Sequence, residues 1–181
     1  MPTRLPAALA LALFSSLASA SPPGPSGWEG ALAGGPAAFA CADAEAGRRE
    51  VSSAIERSIS EMSFVLRPFA RSRLEAGNRV FSRLVVRRDG GDLVVERDGA
   101  PVRSPADGSA APWLSPGGET YQVRQSLDGP VLVQRFAADG VERINRLHLA
   151  ADGATLRLEA VVRSDRLPAP VAYAVEYRRE R

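Results

Sequence analysis

The stretch RDGGDLVVERDGAPVRSPADG, residues 88–108, holds three Asp-Gly pairs, at Asp89, Asp98 and Asp107, each nine residues from the last. Three more follow: Asp128-Gly129, Asp139-Gly140 and Asp152-Gly153. Glycine takes positive φ without a steric penalty. Aspartate tolerates the left-handed region and bonds its own backbone. Between two alternating segments the dipeptide is therefore a short-range hairpin signal. A calcium loop is the competing reading, but it needs several carboxylates converging on one cation, as in D-x-[DN]-x-[DN]-G. Each pair here stands almost alone, so the repeat punctuates a β-meander.

The segments between the turns have a period of two. In YQVRQSL, Tyr121, Val123, Gln125 and Leu127 alternate with Gln122, Arg124 and Ser126. In TLRLEAVVR, Leu156, Leu158, Ala160 and Val162 share a side opposite Arg157, Glu159 and Arg163. VAYAVEYR places Val171, Tyr173, Val175 and Tyr177 together. Such alternation marks half-buried antiparallel strands. Eight are expected, at 79–88, 92–97, 100–104, 119–127, 131–136, 141–150, 154–164 and 171–179. The fold class is mostly β: an up-and-down meander, strongly curved or closed so that its edges are protected. Residues 107–119, DGSAAPWLSPGGE, read as a long loop. Its Trp113 is either a core anchor or a ligand contact.

One or two helices precede the sheet. Val51, Ile55, Ser58, Ile59 and Met62 form a helical stripe, with Arg48, Arg49, Glu50, Arg57 and Glu61 mostly around it. Asp43 is placed as N-cap, and Glu45 suits the positive helix end. Pro68 begins a second helix, ending at Gly77 or Asn78, and pushes Arg67 before it out of the helical region.

The first twenty residues read as a secretory signal: Arg4, an apolar run over 7–14, and the small residues Ala18, Ser19 and Ala20 at a cleavage site. That run is shorter than the roughly 20 apolar residues a membrane span needs. Export to the periplasm or beyond is expected, with a soluble product starting near Ser21. Residues 21–42, rich in Pro, Gly and Ala, read as a disordered tether. Residues 43–181 then form one domain. Cys41 is the only cysteine, so no intrachain disulfide exists, and Phe39 close before it argues against a lipoprotein cut.

Composition excludes much. There are 23 basic and 21 acidic side chains, interspersed, and no lysine. That balance argues against a nucleic-acid binder. One histidine and one cysteine give no zinc framework and no nucleophile–base pair. His148 alternates with Leu147 and Leu149 and so faces outward with Arg146. No G-x-S-x-G, G-x-G-x-x-G or G-x-x-x-x-G-K-[ST] motif occurs, so no cofactor, metal or catalytic residue is assigned. Arginines on the polar strand faces (Arg83, Arg87, Arg124, Arg157, Arg163) argue against a lipid-facing outer-membrane barrel.

The tail LAADGATLRLEAVVRSDRLPAPVAYAVEYRRER resembles the ending of uncharacterised exported bacterial proteins. These pair a DG-x-x-L turn-strand (Asp152, Gly153, Leu156) with a S-x-x-LP-x-PV-x-Y crossover (Ser164, Leu167, Pro168, Pro170, Val171, Tyr173). A last strand ends in YRR (Tyr177, Arg178, Arg179). The segment MSFVLRPFARSRLEAGN, 62–78, is similar to theirs too. The resemblance implies a lipocalin-like barrel and no particular activity.

Two function classes follow. One is a non-catalytic module holding a small apolar or amphipathic, lipid-like ligand on the concave face. Its candidate lining is Tyr121, Val123, Phe136, Leu156, Leu158, Tyr173, Val175, Tyr177 and Trp113; each also suits ordinary core. The other is an envelope structural or protein-interaction module with a filled interior. Arg67, Arg71 and Arg73 are candidates to meet an anionic group, or are a solvated helix end.

Overall fold

A computed structural model describes residues 27–181. The signal, its cleavage point and the start of the tether lie outside the described residues. Ten strands build one antiparallel sheet: β1 (Ala37–Cys41), β2 (Arg83–Asp89), β3 (Asp92–Arg97), β4 (Ala100–Pro105), β5 (Ala111–Leu114), β6 (Thr120–Asp128), β7 (Val131–Ala138), β8 (Val141–Leu149), β9 (Thr155–Ser164) and β10 (Val171–Arg179). Their order is β4-β3-β2-β1-β10-β9-β8-β7-β6-β5. The sheet is thus a meander whose first strand returns to pair with its last. It curls into a nearly closed barrel with β4 and β5 as the facing edges.

The count is ten, against the eight read from alternation. Both extra strands lack the signal that marks the others. β1, AAFAC, is nearly all small residues and lies where Pro/Gly/Ala content suggested a tether. β5, APWL, carries Pro112, which lacks the N–H of an interior ladder position and so suits an edge. The turns were legible. All six Asp-Gly pairs sit at strand connections, with glycine φ from 55° to 85°.

Residues 27–41 are not a tether. Helix α1 (Gly27–Ala33) tucks under one end of the barrel, where Trp28 is fully buried and its Nε1 donates to the Leu147 carbonyl at 3.1 Å. Gly27 (φ 66°) lies so close to the β6–β7 turn that a Cβ would meet the Gly129 carbonyl oxygen at 2.6 Å. The structured chain therefore begins before the expected boundary at residue 43.

Helices α2 (Ala44–Ile59) and α3 (Arg67–Gly77) lie between β1 and β2 and cover the opposite end. Asp43 caps α2 as expected, accepting from the Glu45 and Ala46 amides at 3.0 and 2.8 Å. The stripe Val51, Ile55, Ser58 and Ile59 is buried against the core, with Met62 half-buried beside it. Gly47 lets α2 approach Val80 and Val175. α3 includes Arg67, contrary to the expectation for a residue before proline. That guanidinium reaches back to the carbonyls of Ser60 and Met62, fastening the helix start. No described helix is long and apolar enough to cross a membrane.

Candidate functional site

The register fixes which side chains enter the barrel. Leu93 and Val95 point inward, and so does Arg97, which pairs with the inward Leu84. On β8, Leu147, Asn145 and Arg143 share the inward phase, opposite Leu158, Ala160 and Val162. Two arginines therefore occupy apolar-phase positions, both near the helix-covered end.

Arg97 is packed among three rings. Its guanidinium carbon lies 5.1, 5.2 and 5.3 Å from the ring centres of Phe81, Trp113 and Phe136. Cation–π attraction offsets part of its lost hydration, but its Nε is sealed from solvent and has no hydrogen-bond partner. Burial pulls its pKa down to about 10, and repulsion from Arg143 and Arg79 adds to this.

Arg143 is well bonded, but only to neutral acceptors. It donates to the Gly77 carbonyl at 2.9 Å, to Asn78 Oδ1 at 3.2 Å, to Asn145 Oδ1 at 2.8 Å and to the Tyr173 hydroxyl at 2.8 Å. The Tyr173 hydroxyl in turn donates to Asn78 Oδ1 at 3.3 Å. From Asn145 a chain of buried amides crosses the barrel. Asn145 donates to Gln134 at 3.2 Å and Gln134 to Gln125 at 2.6 Å; Gln125 donates to the Leu93 carbonyl at 2.9 Å. Gln125 thereby ties β6 to β3 across the gap between the edge strands. Trp113 does the same for β5 and β4, its Nε1 donating to the Pro101 carbonyl at 3.1 Å.

Among the described residues no carboxylate pairs with Arg97 or Arg143; the arginines that pair with acids do so on the surface. A cleft of about 300 Å³ beside α2 and α3 is lined by Arg48, Val51, Ser52, Glu75, Asn78, Arg79 and Val80 and shares only Asn78 with this cluster. A second, of about 610 Å³, runs along the β4–β5 edges and reaches Trp113.

The structure divides the predicted lining. Trp113, Tyr121, Val123 and Phe136 pack together, with ring centres 5.6 to 6.5 Å apart, and Trp113 and Phe136 face Arg97. Tyr173 joins through Arg143. Leu156, Leu158, Val175 and Tyr177 belong to the main apolar core. Trp113, expected in a loop, is in β5, where its Nε1 anchors that strand to the Pro101 carbonyl and its ring faces Arg97. The three candidate arginines are not brought together. Arg71 pairs with Glu56, Arg73 with Glu119, and Arg67 bonds backbone carbonyls. His148 faces outward, 3.2 Å from Glu159. The Cys41 thiol is pushed up by burial, which leaves it a poor nucleophile.

Arg97, Arg143, Asn78 and Phe81 were missed. A signal existed for the arginines. Leu147 and Leu149 were read as inward, and stepping back by twos along β8 puts Asn145 and Arg143 on that face. The same step from Leu93 and Val95 reaches Arg97.

Fold and site together define a ten-stranded antiparallel β-barrel, capped by helices, with a cationic polar cluster inside its covered end. No protein-family model and no curated protein matches the chain. Solved structures are similar to it, among them the following three. A REP1-NXSQ fatty acid transporter is 10% identical over 81% of this chain and 95% of its own, with a TM-score of 0.44. The Echinococcus granulosus fatty-acid-binding protein 1 is 16% identical over 84% and 99%, TM-score 0.47. A zebrafish ileal bile acid-binding protein complexed with cholic acid is 10% identical over 81% and 96%, TM-score 0.40.

Proposed function

We propose that the protein is a non-catalytic binder of a small amphipathic anion. The acidic head is received by Arg97 and Arg143 with Tyr173, and the apolar body lies against Phe81, Trp113 and Phe136. One observation carries this reading: Arg97 is only partly exposed, packed among three rings, with an orphaned Nε and, among the described residues, no counter-ion. A buried charge without a partner is costly, and proteins keep few of them unless something completes the pair. A carboxylate or similar oxyanion matches the guanidinium fork. The cluster offers donors for a bound anion and no paired nucleophile and base.

Titration with dodecanoate and with dodecanol tests it. The acid binds, and the alcohol binds at least about tenfold more weakly. Arg97→Met lowers dodecanoate affinity roughly 10- to 100-fold, the loss expected for hydrogen bonds to a charged group. The same change leaves the urea midpoint close to wild type, because the loss of the ring contacts is offset by removing a poorly solvated cation. Equal affinity for acid and alcohol, or unchanged affinity in Arg97→Met, rules the reading out.

A second reading, a filled interaction module of the envelope without ligand, is favoured by the far half of the barrel. There Leu93, Leu132, Leu147, Leu156 and Tyr177 are sealed below the amide chain. Native mass spectrometry of the purified protein separates the two, since the first expects a co-purifying acidic lipid-like mass and the second a bare chain. For location we infer export with cleavage after Ala20. N-terminal sequencing of the mature protein then reads from Ser21; a start at Met1 refutes export, and one at Cys41 makes it a lipoprotein.

A further inference from the structure

The helical cap carries an apolar surface that the fold does not use. Phe64, Val65, Leu66 and Phe69 are 86, 70, 54 and 75% exposed. Leu114 is the single other large hydrophobic side chain so exposed among the described residues. The four belong to the α2–α3 connection and the first turn of α3, a helix with no fully buried side chain. Ala70 and Leu74 alone on α3 rest against the core, so the opposite side of that helix stands free. A cluster of large apolar groups this exposed is unusual on a soluble surface and marks a contact site.

The surrounding charge identifies the occupant. From Met62 to Leu74 every charged side chain is an arginine: Arg67, Arg71 and Arg73. Arg67 bonds carbonyls, not a carboxylate, and the acid that senses its charge, Glu56, is already bonded to Arg71, so positive charge is in excess beside Leu66 and Phe69. Arg73 is largely exposed beyond its contact with Glu119. The apolar residues lie on a connecting loop and helix start, and neither of the two clefts described above includes them. A protruding apolar tip collared by arginine suits a lipid leaflet with anionic head groups: the rings enter the acyl boundary and the guanidinium groups stay at the phosphates.

We propose that the 62–74 segment docks the protein on an anionic membrane surface, with Phe64 and Phe69 inserted and Arg67 and Arg73 at the head groups. α3 ends at Gly77 and Asn78, which touch Arg143, so docking would place the covered end of the barrel against the bilayer. The proposal stands without any ligand in the barrel.

The test is co-sedimentation of the full chain with vesicles of phosphatidylglycerol mixed into phosphatidylcholine, and with vesicles of phosphatidylcholine alone. The mixed vesicles bind the protein, high salt weakens binding, and pure phosphatidylcholine binds at least about tenfold less, as loss of two or more arginine–lipid attractions implies. The double variant Phe64→Ser/Phe69→Ser, at positions too exposed to hold the fold, keeps the wild-type urea midpoint and loses at least about tenfold in vesicle affinity. Arg73→Gln loses less, and only on the anionic vesicles. No binding to either vesicle overturns the proposal, as does undiminished binding by the double variant. So does a self-associated chain that the same two substitutions make monomeric, since a second copy then covers the patch.

Discussion

Ile55→Asp or Ile59→Asp destabilises the whole domain by several kcal/mol, on the order of the 3–5 that an uncompensated buried charge costs. Both isoleucines are fully buried. They lie on the α2 stripe with Val51, Ala54 and Ser58, packed against β10 and the main core. A 16-residue helix is only marginally stable alone in water, so α2 is held by docking and not by its own propensity. Each substitution removes about 1.5–3 kcal/mol of apolar burial. It also sets a carboxylate where Ser58, bonded to the Ala169 carbonyl, is the nearest polar group on the stripe. Ser53→Asp, on the exposed side of the same helix, stays within about 0.5 kcal/mol of wild type. Urea midpoints measure all three. If the isoleucine variants unfold with wild type, α2 is not docked and the covered end of the barrel is open.

The parts of the fold legible in the sequence share one property: their local chemistry repeats what the tertiary structure asks of them. β9 and β10 alternate cleanly because one face meets the core and the other water. Asp98-Gly99 and its five counterparts declare turns because few other residues hold those backbone angles. β1 declares nothing. Apart from Phe39 its side chains are small, and its place is fixed by ladders to β2 and β10 that lie far off in sequence. β5 hides behind Pro112 for a related reason: an edge strand needs no complete ladder, so its composition is that of a loop.

The candidate site was legible by halves. Tyr121, Phe136 and Tyr173 follow from apolar phase, whereas Trp113 stands out only as a lone ring in an expected loop. Its cations do not, because a charged residue in a strand is ordinarily solvated and is read as such. Arg97 ends β3 next to the Asp98-Gly99 turn, where outward and inward are hardest to separate by pattern. The step by twos from Leu93 and Val95 is blurred because Val94 is buried too, and the pairing with Leu84 and the rings around Arg97 fix its direction. Asn78 lies outside the strands, and Phe81, inside the strand expected at 79–88, precedes β2, which begins only at Arg83, so no strand period fixes either.

Trp28→Ala costs about 3–5 kcal/mol, the range for truncating a large buried aromatic. The indole is fully buried under the barrel, edge-on to Phe39 with ring centres 5.9 Å apart, and bonded through Nε1 to the Leu147 carbonyl. Truncation opens a void bounded by groups fixed in strands, which have little freedom to collapse into it. It also removes the donor from a buried carbonyl, so part of the cost is that acceptor's lost partner. The effect extends beyond one side chain. α1 is only seven residues long and is joined to the barrel by few contacts: the indole, Ala31 and Leu32, the bonds from the Trp28 amide to the Gly129 carbonyl and from Arg179 to the Ala31 carbonyl, and the Glu29–Arg88 ion pair. Without Trp28, α1 detaches and β1 loses the ring that Phe39 packs on, so the β1–β10 seam that turns the meander into a barrel is weakened. Thermal unfolding reports the stability loss, and hydrogen exchange locates it. Amides of 37–41 and of the β10 edge facing them lose protection before those of β7 and β8. A variant as stable as wild type would mean that residues 27–41 contribute nothing to the folded domain.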